Sequence, residues 1–359
     1  MPARLRPAAT AALAATTALA FLAAGRAPRG VPGPPLVSTF SIVAADPANG
    51  DRGVAVQSKF PNVRAVVPWA RAGVGAVATQ SFARLDYASD GLELMARGAS
   101  AREALDILVR RDPGREQRQV GMVDAKGGAA TWTGSECFAW AGARIGQPGR
   151  GPTAVGPGIV VAGSGFTAQG NILVSPATVA AMAGAFESTP GELADRLMAA
   201  LVAGGHAGGD RRGEQSAALL VVRKGAGYDG SDVIADLSVY DHPAPIAELE
   251  RLHRLNRLYF TGSEPENLIP VTPAIARELQ EIWKQRGFWE GDADGVVDAR
   301  FQKVLVDFMG WENYDLRIAP VQAVDLAGGE TLVIDREVLE DIRAVFRSGR
   351  WKLRGPDPT

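Results

Sequence analysis

The sequence predicts an α+β protein in which two β-sheets stack face to face and carry helices on their outer sides, a four-layer α-β-β-α sandwich. Its elements follow the order strands, helix pair, strands, helix pair, strands. The strands are nearly all apolar, as in sheets covered on both faces, and each helix has one apolar face. A doubly wound parallel fold is the competing prediction, but the strict alternation of strand and helix that it needs is absent.

The first half of the chain supplies most of the strands. Alternating residues on both sides of a turn at 46–50 predict a hairpin of strands at 39–43 and 53–57. The first helix pair is predicted as one helix whose clearer part is 91–98 and a second helix after the capping box that begins at Ser100. The other predicted strands lie at 66–67, 73–80, 119–124, 129–133, 138–145 and 158–162, with a Gly/Pro-rich loop at 147–157.

The second half begins with the other helix pair, which starts near Ser175-Pro176 and near Thr189. Strands at 216–222 and 232–240 and a helix at 245–258 complete the predicted main domain, residues 39–259. Breaker-rich residues 260–270 predict an interdomain linker. Helices that begin near Thr272, Asp298 and Asp335 predict a small three-helix module over residues 271–359.

The N-terminus predicts export. Arginines at positions 4 and 6 precede an acid-free apolar run, and small residues near positions 18–25 offer cleavage sites, so residues 1–25 have the layout of a signal peptide. Residues 26–38 predict a flexible Pro/Gly-rich tether. An uncleaved membrane anchor is the alternative. With cleavage, we expect a periplasmic, cell-wall or extracellular protein without a membrane span.

The composition argues against several classes of function. A formal net charge of −2 gives no general attraction to nucleic acid. The three histidines lack metal-ligand spacing, and no dinucleotide fingerprint or P-loop is complete, so we expect no metal and no cofactor. The single cysteine, Cys137, lies in an apolar run and is predicted to be a small buried hydrophobe rather than a reactive thiol.

Five segments in order resemble one prokaryotic family, the domain of unknown function 1028, whose fold is similar to that of the Ntn hydrolases. They are TFSIVA (39–44), VPWARAGVGAVATQ (67–80), DPGREQRQVG (112–121), QGNIL (169–173) and GGDRRGEQSAA (208–218). The C-terminal segment, with Leu279-Gln280, Gly287-Phe288 and Asp294-Gly295, resembles a peptidoglycan-binding module that often follows this domain. Its aromatic residues have two interpretations, stacking on sugars or packing the bundle: Trp283, Phe288, Trp289 and Trp311.

The resemblance implies a chemistry for Thr39. Ntn hydrolases use a Thr, Ser or Cys that is the first residue of the mature chain, because its free α-amine, with a pKa of about 7.7–8.0, can take the hydroxyl proton. Thr39 has the residue type and the position at the start of a strand. The chain must then be cut at the Ser38–Thr39 bond. The alternative is that Thr39 is an ordinary strand residue.

The resemblance also implies groups that stabilise an oxyanion and hold the substrate. The candidates are polar residues in the matching segments or, for Ser81, directly after one: Thr79, Gln80, Ser81, Asn171, Asp210, Arg211, Arg212, Gln215 and Ser216. An arginine at 211 or 212 could bind a carboxylate, or could pair with Asp210 or Glu214 within the loop.

Three functional hypotheses follow. The first is an exported amidohydrolase that acts on a small amide substrate and is held at the envelope by peptidoglycan. The second is a non-catalytic envelope binding protein on a degenerate Ntn-type fold, and the third is a structural cell-surface component. Homo-oligomer formation is a further expectation, since Ntn-type sandwiches often associate.

Overall fold

The computed structural model describes residues 36–37, 39–147, 150–156, 158 and 161–351, and over these residues the α+β class is confirmed. The described residues belong to one compact unit. The predicted signal peptide and nearly all of the predicted tether lie outside them.

The first sheet has six antiparallel strands within the described residues. These are β1 (Leu36–Val37), β4 (Pro68–Arg71), β5 (Gly75–Phe82), β6 (Arg118–Asp124), β7 (Gly128–Thr133) and β10 (Val161–Ser164). The path runs β1-β5-β6-β7-β10, and β4 also pairs with β5. Since β1 pairs with the end of β5 and β4 with its beginning, both occupy one edge.

The second sheet has seven antiparallel strands in the same part of the chain. These are β2 (Thr39–Asp46), β3 (Asp51–Ser58), β8 (Gly142–Gln147), β9 (Arg150–Val155), β11 (Phe166–Asn171), β12 (Ser216–Val222) and β13 (Val233–Val239). Their order is β13-β12-β3-β2-β11-β8-β9. The predicted hairpin is confirmed as β2 and β3, and the antiparallel pairing rules out the doubly wound parallel alternative.

Helices cover one face of each sheet. Helices α1 (Asp86–Ala96) and α2 (Ala101–Arg111) pack on the first sheet, and α3 (Ala177–Ser188), α4 (Leu193–His206) and α5 (Pro245–Phe260) pack on the second. The predicted capping box is confirmed at Ser100, which exchanges hydrogen bonds with Glu103. A separate apolar cluster, with Val43 and Val56 from one sheet and Ala78 and Val123 from the other, lies between the sheets.

Four strand predictions need correction. The strand expected at 138–145 begins only at Gly142, because Phe138 is half exposed and the chain before Gly142 is irregular. The segment 66–67 is the end of a short turn, and the strand starts at Pro68. Strand β9 lies inside the predicted loop 147–157 and pairs with β8 at the sheet edge. Strand β11 was not predicted, because threonine, glutamine and asparagine alternate there with other residues.

The C-terminal helices are confirmed together with their N-terminal caps. They are α6 (Pro273–Arg286), α7 (Ala299–Trp311) and α9 (Arg336–Ser348), capped by Thr272, Asp298 and Asp335. A short α8 (Ala319–Gln322) and a two-stranded sheet of β14 (Leu268–Pro270) and β15 (Val333–Asp335) accompany them. Strand β14 lies within the range predicted as linker. Leu258 of α5 joins the apolar core of these helices.

No helix in the described ranges has both the length and the apolar character required to cross a membrane.

Candidate active site between the sheets

Thr39 is the first residue of β2 and is completely buried. Its hydroxyl donates a hydrogen bond of 3.0 Å to Oγ of Ser58, its direct partner on β3. Its partner on the other side is Asn171, the last residue of β11. Three strands of the second sheet therefore bring hydroxyl and amide side chains together at one end.

A chain of buried hydrogen bonds runs from β11 through β2 to β5 of the first sheet. Thr167 Oγ1 donates to Gln169 Oε1 at 2.9 Å, and Gln169 Nε2 donates to Ser41 Oγ at 2.7 Å. Ser41 Oγ then donates to Gln80 Oε1 at 2.6 Å. The Gln80 amide nitrogen also donates to the carbonyl of Thr39 at 3.3 Å, so the backbone of the candidate nucleophile is part of the network.

Gln119 of β6 is the centre of this network. Its Oε1 accepts from Gln80 at 2.8 Å and from Asn171 at 3.0 Å. Its Nε2 donates to Thr133 Oγ1 at 3.0 Å and to the carbonyls of Gly170 and Gly142 at 2.8 and 3.2 Å. We call these neutral residues the polar cluster: Thr39, Ser41, Ser58, Gln80, Gln119, Thr133, Thr167, Gln169 and Asn171. Every member is buried, so its hydrogen bonds are made inside the protein.

A glycine makes room for this cluster. A Cβ on Gly121 would lie 2.4 Å from Oε1 of Gln169, so any other residue at this point of β6 would displace that side chain. The close approach of β6 to β11 explains why Gln169 can span the space between the sheets. Gly121 thus belongs to the site although it contributes no side chain.

Ser81 adjoins the point where the chain passes from one sheet to the other. Strand β1 places Val37 opposite Ser81 in the first sheet, and two residues later Thr39 begins the second sheet. Ser81 has a left-handed φ of 70° and is completely buried. Its hydroxyl lies beside the thiol of Cys137, whose pKa is raised chiefly by burial, and no other group in the described chain binds it.

Thr79 lies apart from the polar cluster. Because neighbouring strand residues point to opposite faces, Thr79 and Gln80 cannot both face the second sheet. Gln80 does, whereas Thr79 donates its hydroxyl to the carbonyl of Arg84 at 3.1 Å.

The candidates at 210–216 also lie outside the cluster. Asp210 is buried and accepts hydrogen bonds from Arg212 at 3.1 Å and from the backbone N–H of Lys59 at 3.2 Å. The contact between Arg212 and Asp210 is the pairing within the loop that was the alternative for the arginines. Arg211 is exposed. Gln215 binds Asp241 at 2.9 Å, and Ser216 donates to the carbonyl of Phe60 at 2.5 Å. The hydrogen bonds that these side chains make within the described residues stabilise neighbouring loops and include none to the side chains of the polar cluster.

Sequence reasoning therefore identified Thr39, Gln80 and Asn171 within the cluster and Ser81 beside it, but missed its other members. The signal for β11 was present, since Thr167, Gln169 and Asn171 alternate and must share one strand face. The role of Gln119 depends on which strands are neighbours, which the sequence does not state. Among the described residues, no group of three His, Cys, Asp or Glu side chains could hold a metal ion.

The comparison with known proteins begins with a family model. Residues 39–150 and 149–249 match the model of the "Family of unknown function (DUF1028)", and together the matches span more than half of the chain. The chain belongs to this family. Among solved structures, the DUF1028 protein SPO2555 from Silicibacter pomeroyi is similar, with 29% sequence identity and a TM-score of 0.52. The likeness covers 61% of this chain and 86% of that chain. No curated protein matches.

Proposed function

We propose that this DUF1028 protein is an exported amide hydrolase of the Ntn type, in which Thr39 is the nucleophile after the chain is cut between Ser38 and Thr39. One observation carries the proposal. Thr39 is the first residue of its strand, and its hydroxyl lies in a buried cluster of neutral hydrogen-bonding groups. A hydroxyl in such a place is shielded from bulk water and surrounded by donors and acceptors held in fixed positions.

The arrangement of layers supports the same class. Helices lie on the outer face of each sheet, and an apolar cluster fills one part of the space between the sheets. The polar cluster occupies the other end of that space. This helix-sheet-sheet-helix order is the one that the resemblance to Ntn hydrolases implies, and in that fold the nucleophile opens into the end of the sandwich.

The chemistry needs a free α-amine on Thr39. That amine accepts the proton of Oγ1, and Oγ1 forms a bond to the carbonyl carbon of the substrate amide. The carbonyl oxygen gains the negative charge, and the amine returns the proton to the leaving nitrogen as the C–N bond breaks. Water then hydrolyses the resulting ester and regenerates the hydroxyl.

Ser81 is the donor that we assign to the oxyanion. Within the described residues, the thiol of Cys137 is the one group beside its buried hydroxyl. Its backbone lies opposite Val37, two residues before the nucleophile. Gln80 and Gln119 hold the backbone of Thr39 and the end of β11 in place. They are positioning residues, because their hydrogen bonds are made to the protein itself.

A non-catalytic envelope binding protein is the second candidate. One observation favours it: the strand β1 connects to β2 through a single residue, so Thr39 carries no free amine as long as the chain is intact. If the chain is not cut at this bond, the polar cluster serves only to hold the two sheets together.

The proposed attachment to peptidoglycan depends on the exposed aromatic surface near α7. Trp283 and Trp289 are buried in the core of the C-terminal helices, so they serve packing. Trp311 is 60% exposed and makes an edge contact with Phe288, with ring centroids 5.9 Å apart. A pull-down on purified peptidoglycan should lose the protein when Trp311 is changed to alanine. Equal retention of both proteins argues against the attachment.

An electrophilic probe tests the proposed nucleophile. A β-lactone acylates activated hydroxyl groups, and peptide mass mapping identifies the modified residue. We expect the label on Thr39 in the processed wild-type protein and in Thr79→Ala, which removes a buried hydroxyl from the other face of β5. Thr39→Ala should take up no label. Labelling elsewhere, or an unlabelled processed protein, contradicts the proposal.

A further inference from the structure

A groove of about 510 Å³ lies between α5 and α9, far along the chain from Thr39. Its α5 wall carries Arg251, Arg254, Leu255 and Leu258, at spacings of three, four and seven residues, with Arg257 beside them. Its α9 wall carries Glu337, Glu340, Asp341 and Ala344 at the same spacings. Residues so spaced share one face of a helix, so a basic stripe faces an acidic stripe.

The arginines of the basic stripe are paired on their own side of the groove. Arg251 binds Glu248 at 2.6 Å, Arg254 lies 3.7 Å from Glu250, and Arg257 lies 3.3 Å from Asp195. Arg254 is the most exposed of the three, with 64% of its side chain accessible.

The carboxylates of the acidic stripe also have partners on their own side of the groove. Glu337 lies 3.1 Å from the buried Arg317, and Asp341 accepts hydrogen bonds from the hydroxyls of Tyr314 at 2.7 Å and Tyr259 at 3.2 Å. Glu340 is exposed. Within the described residues no salt bridge joins the two stripes, so groups of opposite charge face each other across the groove without direct contact.

We infer that this groove binds a short peptide with free ends, its carboxylate against the arginines of α5 and its ammonium group against the carboxylates of α9. A zwitterionic ligand matches the charge of both walls at once, whereas an anion alone or a cation alone is attracted to one wall and repelled by the other. Leu255, Leu258 and Ala344 provide an apolar contact for the side chains between the two ends. The volume is that of an ordinary small-ligand site.

The inference stands independently of the proposed hydrolase. It uses no residue of the polar cluster, and the groove is formed by α5 and the C-terminal helix α9. A protein that lacks amide-hydrolase activity would bind the peptide equally well.

Calorimetric titration of the full chain with trialanine tests the inference. Free trialanine should bind, and blocking either end, by N-acetylation or by C-terminal amidation, should weaken binding by about tenfold or more, because each block removes a charge-assisted contact. Equal binding of the free and blocked peptides, or no heat of binding with free trialanine, overturns the inference.

Two variants assign the ends of the peptide. Arg254→Gln should reduce the preference for free over amidated trialanine, because the most exposed arginine of this wall is lost. Glu340→Gln should reduce the preference for free over acetylated trialanine, because an exposed carboxylate of the other wall is lost. Arg97→Gln, directly after α1, is the control and should keep both preferences, since 76% of this arginine side chain is exposed. If both groove variants keep both preferences, the assigned walls are wrong.

Discussion

Thr39 Oγ1 donates to Ser58 Oγ at 3.0 Å, and the two residues face each other directly in the register of β2 and β3. The hydroxyl proton of Thr39 is therefore directed towards the neighbouring strand, and the carbonyl of Thr39 is held by Gln80 at 3.3 Å. The first residue of β2 is fixed at both its side chain and its backbone. The proposed mechanism requires in addition a free amine on Thr39 and an opening through which a substrate reaches this buried hydroxyl.

Replacing the hydroxyl of Thr39 should abolish hydrolysis. Once an amide substrate is identified, Thr39→Ala should lower kcat/KM by about three orders of magnitude or more, because the attacking atom is gone, whereas Thr39→Ser should retain measurable activity. The matched control is Thr79→Ala, whose hydroxyl is bound to the backbone on the other face of β5. Equal activity in Thr39→Ala and wild type excludes Thr39 as nucleophile.

The pH profile should report the α-amine of Thr39. Because the amine must be unprotonated to accept the hydroxyl proton, kcat/KM should rise with pH and level off above the amine's pKa, about 7.7–8.0 for an unperturbed terminus. The measurement is kcat/KM from pH 5 to 9. A profile that is flat across this range speaks against a terminal amine as the base.

Two buried glutamines should respond in opposite directions to replacement by leucine. Gln119→Leu removes five hydrogen bonds within the polar cluster and should lower the free energy of unfolding by about 3 kcal/mol. Gln57 is equally buried, but neither atom of its amide has a hydrogen-bond partner within the described residues. Gln57→Leu should raise the free energy of unfolding by about 1 kcal/mol.

Urea denaturation curves of the two variants and of the wild type measure both effects. Gln57 pairs in register with Phe40 and Ala217, which belong to the apolar core beneath the helices, so leucine suits its surroundings. If Gln57→Leu loses as much stability as Gln119→Leu, the number of hydrogen bonds that each glutamine makes does not determine the effect of its replacement.

Asp112 should stabilise the fold in a way that depends on pH. Burial raises the pKa of Asp112, but Arg118 at 2.9 Å, the Gly114 amide and the Tyr87 hydroxyl outweigh it, so the pKa lies below its ordinary 3.8. A lowered carboxyl pKa means that the contribution is complete above the unfolded-state pKa and is lost as the pH falls through the folded-state value.

Asp112→Asn should therefore cost about 2 kcal/mol at pH 7. The difference in the free energy of unfolding between this variant and the wild type should shrink as the pH is lowered below about 3.8. Unfolding midpoints measured between pH 2 and pH 7 test this. A difference that is constant over the whole range contradicts the assigned role of the carboxylate.

The buried pair of Arg317 and Asp335 should be essential for the C-terminal helices. Arg317 Nη1 donates to Asp335 at 2.6 Å, and both residues are almost fully buried. Arg317→Met leaves the carboxylate of Asp335 buried without its partner and should cost about 3–5 kcal/mol. The exposed pair of Lys303 and Asp307 is the control, since Lys303→Ala should change stability by less than about 1 kcal/mol.

Tryptophan fluorescence during urea unfolding reports on this region through Trp283 in its core, and on the main domain through Trp132. Equal midpoints for Arg317→Met and Lys303→Ala would mean that the buried pair does not hold α9 in place.

The helices could be predicted from the sequence more fully than the site. An N-cap residue bonds to the backbone only two or three residues further on, so it can be recognised from the local sequence. Four helix starts were predicted in this way, at Ser100, Thr272, Asp298 and Asp335. Strand β11 escaped prediction because its inward face is polar, whereas strand prediction relies on apolar residues.

The site depends on which strands are neighbours. The side chain of Gln119 forms hydrogen bonds to residues of four strands, β5, β7, β8 and β11. No local sequence pattern around residue 119 predicts that these strands lie next to one another. Strand alternation alone, by contrast, could have separated Thr79 from Gln80. The loop residues 210–216 matched the family but are held by partners of their own.

The mass of the mature, exported protein tests the central claim most directly. Intact-mass measurement with sequencing of the first peptide should give a chain whose first residue is Thr39, with a free α-amine. A fully processed chain that still carries any residue before Thr39 has no terminal amine beside the hydroxyl and contradicts the proposed mechanism.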